Sequence, residues 1–242
     1  MKLALISDIH ANLEALEAVL ADIETNKVDR IICLGDVVGY GPDPAACLEL
    51  VDRHCDIKLV GNHEYGVLGL LPLDSLNHFA RHSMDWTTRQ LTDREIAFIE
   101  EYEMTAEFEE SDLVHASPFE PDQWHYILSE IDAASGFEHT EKKLTFFGHT
   151  HLPMIFSQAT DGVIRGRVGH TFDPDEDSRY LVNVGSVGQP RDNDPRACYV
   201  IHDTDESTVT YHRVTYDVKA AQTKMSRAEL PSMLIDRLAV GR

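Results

Sequence analysis

Residues 2–10, Lys2-Leu3-Ala4-Leu5-Ile6-Ser7-Asp8-Ile9-His10, join an apolar run of strand length directly to a carboxylate and an imidazole two residues apart. Leu13, Leu16, Leu20 and Ile23 then recur at helical spacing, and Arg30 to Leu34 forms a second apolar run that ends at Gly35-Asp36. A helical stretch from Ala45 to Arg53 leads to a third short run, Ile57 to Val60, which ends at Gly61-Asn62-His63-Glu64. This βαβαβ rhythm predicts parallel strands with covering helices. In such sheets ligands bind beyond the carboxyl ends of the strands, which is where these polar clusters fall.

Farther along, Gly66 to Glu101 has a mostly helical pattern, and the acidic stretch from Glu100 to Glu110 reads as a solvated face. From Lys143 the pattern changes to short strands: Leu144 to Phe147, Met154 to Ser157, Val163 to Val168, Tyr180 to Val184, Ala197 to His202 and Thr208 to Val214. Their spacing suggests a second sheet, packed face to face with the first and with helices outside. A helical tail is expected from Ser226. There is no long linker, repeat or low-complexity segment, so residues 1–242 are expected to form one domain with a helical insertion at about 66–101.

The 242 residues carry 21 Lys+Arg against 42 Asp+Glu, a formal charge of −21, which repels nucleic-acid backbones and anionic membranes. Polymeric nucleic acid and membranes are therefore not expected partners, and an anionic substrate would need a local cation to bring it in. A hydrophobic content of 43% and a charged content of 26% are ordinary for a globular chain and exclude bulk disorder. Cys33, Cys47, Cys55 and Cys198 form no C-x-x-C pair and sit among apolar residues, as buried thiols of a reducing compartment do. The first apolar run is too short for a signal peptide, and no stretch approaches a spanning helix, so a cytoplasmic location is expected.

Thirteen histidines stand out, because imidazole is a common metal ligand. Five segments group together: Asp8-Ile9-His10, Gly35-Asp36, Gly61-Asn62-His63-Glu64, His115, and Gly148-His149-Thr150-His151. In extended backbone, residues two apart point to the same side, so Asp8 with His10 and His149 with His151 could each grip one centre. Oxygen and imidazole ligands without cysteine suit Mn, Fe, Co, Ni or Zn better than a structural zinc site.

This ordered set, D-x-H, G-D, G-N-H-[DE], H and G-H-x-H, resembles the calcineurin-like metallophosphoesterase superfamily, and Asn183-Val184-Gly185-Ser186-Val187 is similar to the N-P-G-S segment of its small stand-alone prokaryotic members. The resemblance implies an α/β fold, a four-layer αββα sandwich of two mixed sheets flanked by helices. It also implies two metal ions, divalent or of mixed valence, about 3.5 Å apart and bridged by one aspartate and a hydroxide. Carried over by position, Asp8, His10 and His151 would hold the first metal, Asn62, His115 and His149 the second, and Asp36 would bridge. The implied activity is hydrolysis of phosphomonoesters or small phosphodiesters, nucleotides included, by attack of the bridging hydroxide. Two divalent ions against the carboxylates of Asp8 and Asp36 leave net positive charge to attract phosphate. His63 could protonate the leaving oxygen or steady the transition state, and Glu64 could orient its ring or be structural.

Departures refine this expectation. Ala11 and Ala116 stand where many members have glycine, and both leave the ligands intact. The protein-phosphatase branch has D-R-G after its G-D, whereas here the run is Asp36-Val37-Val38-Gly39-Tyr40-Gly41, without the phosphate-clamping arginine. That weakens a protein-phosphatase reading and leaves a dinucleoside polyphosphate hydrolase as the alternative among enzymes. A non-catalytic binding module would have lost ligands, and all positions are present. The Gly39 to Pro44 turn, with Gly39 and Tyr40, is a candidate wall of the substrate cleft, and Arg191 a candidate anion contact. His170 in a second Gly-His-Thr, the His78–His82 pair, and the acidic run Asp173 to Asp177 each lack the partners their motifs require.

Overall fold

The computed structural model describes residues 1–71 and 78–242. Strand β1 (Lys2–Ile6) is buried at every position after the first, because both its faces are covered. Leu3 and Leu5 point into a core shared by the two sheets, together with Leu113, Phe146 and Val182. Ala4 and Ile6 point the other way, onto Leu16, Val19 and Leu48 of the helices. A strand buried on both faces reads as a continuous apolar run, which is how β1 appears in the sequence. Truncating one of these fully buried side chains, such as Phe146, to alanine typically costs about 3–5 kcal/mol.

Helix α1 (Leu13–Thr25) starts where the Asn12 side chain accepts the Ala15 N–H. It leads to β2 (Arg30–Cys33), and α2 (Pro44–His54) leads to β3 (Ile57–Lys58). Three helices follow, α3 (Asn62–Val67), α4 (His78–Gln90) and α5 (Asp93–Glu100), in the region expected to be helical. Residues 72–77 of that expectation lie outside the described residues.

The remaining strands are β4 (Thr105–Phe108), β5 (Ser111–Val114), β6 (Leu144–Phe147), β7 (Met154–Ala159), β8 (Ile164–Val168), β9 (Ser178–Asn183), β10 (Ala197–Asp203) and β11 (Thr208–Val214). They complete two mixed sheets, ordered β11-β10-β1-β2-β3 and β4-β5-β6-β9-β7-β8. Helices α6 (Glu130–Phe137), α7 (Val218–Arg227) and α8 (Ser232–Leu238) complete the described α-helices. Ala133 and Phe137 of α6 cover Val114, Phe147, Phe156 and Leu181 on the outer face of the second sheet. The result is the expected α/β architecture of two mixed sheets flanked by helices.

Three expectations need correction, and one helix lay outside them. The last two strands join the first sheet, not the second: β10 runs antiparallel to β1, with Leu5 opposite Val200, and β11 pairs with β10. The acidic stretch before residue 110 is not simply a solvated face, because Thr105–Phe108 pairs with Ser111–Val114 as an edge hairpin. There Glu107 is exposed while Ala106 and Phe108 pack on the inter-sheet core, a period of two that the run of glutamates obscures. The C-terminal helical region starts at Val218, with Asp217 accepting the Ala220 N–H as its cap. Helix α6 had no counterpart in the sequence reading; it opens with a capping box at Ser129 and Asp132.

Candidate metal centre

Strands β1, β2 and β3 are parallel, as are β5, β6 and β9, so the loops that follow them gather along one rim. Asp8 and His10 follow β1, and Asp36 follows β2. Asn62 and His63 open α3 beyond β3, His115 directly follows β5, and His149 and His151 follow β6. Backbone bonds lock the first two loops together: Asp8 N–H to Gly35 O at 3.0 Å and His10 N–H to Asp36 O at 2.9 Å. The sheets are stitched at the same place, where the His149 N–H donates to Asp8 Oδ2 at 2.9 Å.

The paired ligands do not converge through extended backbone, as their spacing suggested. Asp8, His10, Asp36, His149 and His151 all have left-handed backbone, with φ between 48° and 63°. Non-glycine residues there cost of order 1–3 kcal/mol each and persist only when the surroundings fix them. Glycines make room for this crowding. A Cβ on Gly61 would lie 2.1 Å from Asp36 Oδ1, and one on Gly39 (φ +83°) 2.0 Å from His63 Nδ1.

Three imidazoles have their tautomer set by the backbone. His10 Nδ1 donates to Val38 O at 3.1 Å, His115 Nδ1 to Leu34 O at 2.9 Å, and His151 Nδ1 to Gln189 O at 2.6 Å. Each Nε2 is left as a lone-pair donor facing inward. His10 Nε2 and His151 Nε2 face each other at 3.0 Å, and Asp8 Oδ1 lies 3.8 Å from the first and 3.3 Å from the second. Lone pairs and a carboxylate oxygen at these separations repel unless a cation lies among them. Ligands at about 2.0–2.2 Å from an ion stand about 3 Å apart, so the spacing suits one. On the other side, Asp36 Oδ2 is 3.4 Å from His115 Nε2, and His149 completes a second group with them. His10, Asp36 and His63 also offer ligand atoms within 4.8 Å of one another. Asp8 Oδ1, Asn62 Oδ1, His115 Nε2 and His149 Nε2 are buried without a hydrogen-bond partner, as expected of donors reserved for ions, and His63 Nδ1 beside them is unpartnered too. The His and Asp clusters therefore fit a binuclear metal site.

Electrostatics agree with this chemistry. Burial lowers the pKa of His10 and His151, and brings His149 down to about 3, so these rings are neutral and ready to donate. Burial and the Asp36 charge raise Asp8 to about 7. Burial also works against a charge on His115, but the Asp36, Asp8 and Glu64 carboxylates outweigh it and raise the ring to about 9. The pocket thus concentrates negative charge that calls for a cation.

Glu64 is structural. Its carboxylate accepts the N–H groups of Asp36, Val37 and Gly61 at 2.8 Å and of Val38 at 3.1 Å, and it does not orient the His63 ring. Tyr40 lies at the centre, its ring 4.5 Å from those of both His10 and His63, with Arg191 over it at 6.0 Å. Gly39, Tyr40 and Arg191 thus sit beside the cluster. His170 is exposed on the second sheet and contacts Arg167, and His78 and His82 are exposed on α4. Asp175 bonds the Tyr180 hydroxyl at 2.6 Å. None of these decoys reaches the centre.

Three residues at the rim escaped the sequence reading. Tyr126, about half exposed, lies over the His149 ring with centroids 4.2 Å apart. Gln189, next to the proline before Arg191, holds His151 through its carbonyl, and Arg237 on α8 donates to its side chain at 2.9 Å. A lone tyrosine and an arginine in a helical tail carry no local signal; only neighbourhood with Arg191 pointed to Gln189.

Residues 1–207 match the calcineurin-like phosphoesterase superfamily domain. Over 246 aligned residues the chain is 39% identical to an uncharacterized protein of Methanocaldococcus jannaschii, covering 99% of this chain and 98% of that one. The crystal structure of a metallophosphoesterase from Sphaerobacter thermophilus superposes with a TM-score of 0.88 at 41% identity, covering 100% of this chain and 99% of that one. A hypothetical protein from Pyrococcus horikoshii shares the fold, with a TM-score of 0.81 at 18% identity, covering 100% and 98% of the two chains.

Proposed function

The chain belongs to the calcineurin-like phosphoesterase superfamily, and from that premise we propose that it is a two-metal phosphoesterase hydrolysing phosphomonoesters or small phosphodiesters, nucleotides included. The observation that carries the proposal is the facing pair His10 Nε2 and His151 Nε2 at 3.0 Å, each deprived of its proton by a backbone bond on the opposite nitrogen. Asp8, His10 and His151 would hold one ion, Asn62, His115 and His149 the other, with Asp36 shared. Mn, Fe, Zn, Ni and Co all suit this oxygen and nitrogen set. Such ions, when bound, polarise phosphoryl oxygens and lower the pKa of water so that a nucleophile exists near neutral pH.

The chain's own residues do the rest. Asp36 fixes the spacing of the two ligand groups, its Oδ1 held by the His63 N–H at 2.9 Å. His63, with Nδ1 free and Tyr40 against its ring, is placed to give a proton to the leaving oxygen. Gly39 keeps the wall beside His63 clear of side chain, and Tyr40 and Arg191 line the approach. Four buried, unpaired cysteines support a reducing, cytoplasmic setting.

The test is hydrolysis of mono- and bis-(p-nitrophenyl) phosphate by metal-stripped protein given Mn, Ni, Co, Mg or Zn. Activity is expected only after addition of a divalent ion. Full turnover in strong chelator after dialysis would overturn the two-metal reading.

A further inference from the structure

Helix α8 lies beyond the 207 residues of the superfamily domain, yet it reaches the rim of the centre. Its Leu234 and Leu238 pack in a cluster with Ala221 and Met225 of α7, and Tyr40 and Trp86 lie against that cluster. Lys224 on α7 ties down the same corner through Glu14 at 2.7 Å and Asp43 at 2.9 Å. This docking brings Arg237 to Gln189, where Arg237 Nη1 at 2.9 Å and Arg191 Nη2 at 3.0 Å donate to the same side-chain oxygen. Arg237 Nε donates to the main-chain oxygen of Arg242. Arg191 Nε is buried without a partner, and its main-chain N–H is anchored on His151 O at 3.2 Å.

Two guanidiniums that share the Gln189 oxygen repel each other, and among the described residues Arg191 has only the Tyr40 side chain as a further neutral partner, in a chain of net charge −21 that has carboxylates to spare. Among the described residues no side-chain carboxylate pairs with either one. We propose that Arg191 and Arg237, bridged by Gln189, form an anion subsite for a second phosphoryl group next to the one that reacts. The subsite rests on the phosphoesterase reading above and narrows its substrate class to phosphate compounds carrying two or more linked phosphoryl groups.

Position sets Arg237, but not Arg191, apart from the reacting centre. The Arg191 guanidinium lies 6.0 Å from the Tyr40 ring, which is 4.5 Å from the rings of His10 and His63, and its charge also bears on His10, His63, His149 and His151, whereas the charges that bear on Arg237 are those of Arg191 and Tyr40. A phosphoryl group on the metal cluster lies beside Arg191, and Arg237, joined to Arg191 through Gln189, is left for the next tetrahedral oxyanion along the substrate. Planar guanidinium forks suit such an anion by offering paired N–H groups. Burial, and then the like charge of Arg191, lower the pKa of Arg237, a strain that an anion between them would relieve.

The experiment has two arms on Mn-loaded protein. In the first, kcat/KM is measured for p-nitrophenyl phosphate and for a nucleoside diphosphate in the wild type, Arg191→Gln, Arg237→Gln and Arg237→Lys. The diphosphate-to-monoester ratio is expected to fall about tenfold or more in Arg237→Gln and by less in Arg237→Lys, which keeps charge but loses the fork, while Arg191→Gln, beside the centre, should lose rate on both substrates and more on the diphosphate. In the second arm, calorimetry with inorganic diphosphate and with orthophosphate is expected to give the same selective loss in affinity for diphosphate. Ratios within about twofold of wild type in both arms, or equal losses for both probes, overturn the subsite. If the wild type hydrolyses neither of these substrates nor bis-(p-nitrophenyl) phosphate, the phosphoesterase reading fails, and the calorimetric arm still decides the subsite. Arg237 is half-buried and forms no part of the α7–α8 apolar cluster, so Arg237→Gln should fold, and its thermal transition should match the wild type.

Discussion

His63 is buried, its backbone N–H is fixed to Asp36 Oδ1, and its Nδ1 is unpartnered against the space that Gly39 leaves open. A proton donor to the leaving oxygen is typically worth ~10²- to 10⁴-fold in rate. His63→Ala should lose rate on that scale with metal content unchanged, and lose less on esters whose leaving groups are already good anions. Loss of a metal, or an equal cost for good and poor leaving groups, would make His63 a ligand or a phosphate contact. Asp36 tests a different point. Its Oδ2 lies 3.4 Å from His115 Nε2 and 3.7 Å from His10 Nε2, between the two ligand groups. Elemental analysis should find both ions depleted in Asp36→Asn, but chiefly one in Asn62→Ala; two ions retained in Asp36→Asn would refute its bridging role. The identities of these residues were plain in the sequence. The left-handed backbone of Asp36 was not, because it is imposed by bonds between loops and not by the residue itself.

Helix α3 owes its placement to one side chain. Glu64, in its first turn, accepts four backbone N–H groups, one from its own N-cap Gly61 and three from the loop after β2, so it fixes the β2 and β3 loops to each other. Glu64→Ala strands these buried donors, each worth about 1–3 kcal/mol if left unsatisfied. Relaxation and water entry recover part of this, and urea unfolding should register a loss of about 3–5 kcal/mol. A loss below about 1 kcal/mol would mean that the loops are held by other contacts. The G-N-H-E sequence marked the position of Glu64 but not its task, since nothing local tells a ring-orienting carboxylate from one that caps a distant loop. The β4–β5 hairpin was hidden for a related reason: an edge strand with one wet face can be rich in glutamate.

At the scale of the whole molecule, β10 in the first sheet carries His202 into the region between the sheets, 5.5 Å from the Phe146 ring. Burial brings its pKa down to about 4; the Asp203 charge opposes this and the N-terminal ammonium reinforces it. The unfolded chain therefore binds a proton at His202 from about pH 6.5 downward, while the folded chain resists until about pH 4. Between those values the unfolded state holds more protons, so stability is complete above pH 6.5 and declines as the pH falls toward 4. Comparing unfolding free energies at pH 7 and pH 4, His202→Gln should lose about 1–3 kcal/mol less than the wild type. Identical losses would place the acid sensitivity elsewhere.

The sequence by itself determined the α/β class, the first three strands with their crossover helices, and the set of ligand-type side chains at strand ends. Those features are local: a doubly covered strand must be apolar throughout, and chemistry-bearing residues must follow it. Tertiary structure alone decided which sheet received β10 and β11, which nitrogen of each histidine faces inward, and that α8 delivers Arg237 to Gln189. Each depends on pairings between residues far apart in the chain. Composition cannot encode such pairings locally, because the same apolar strand or basic helix can dock on several surfaces, and only the packing of the whole selects one.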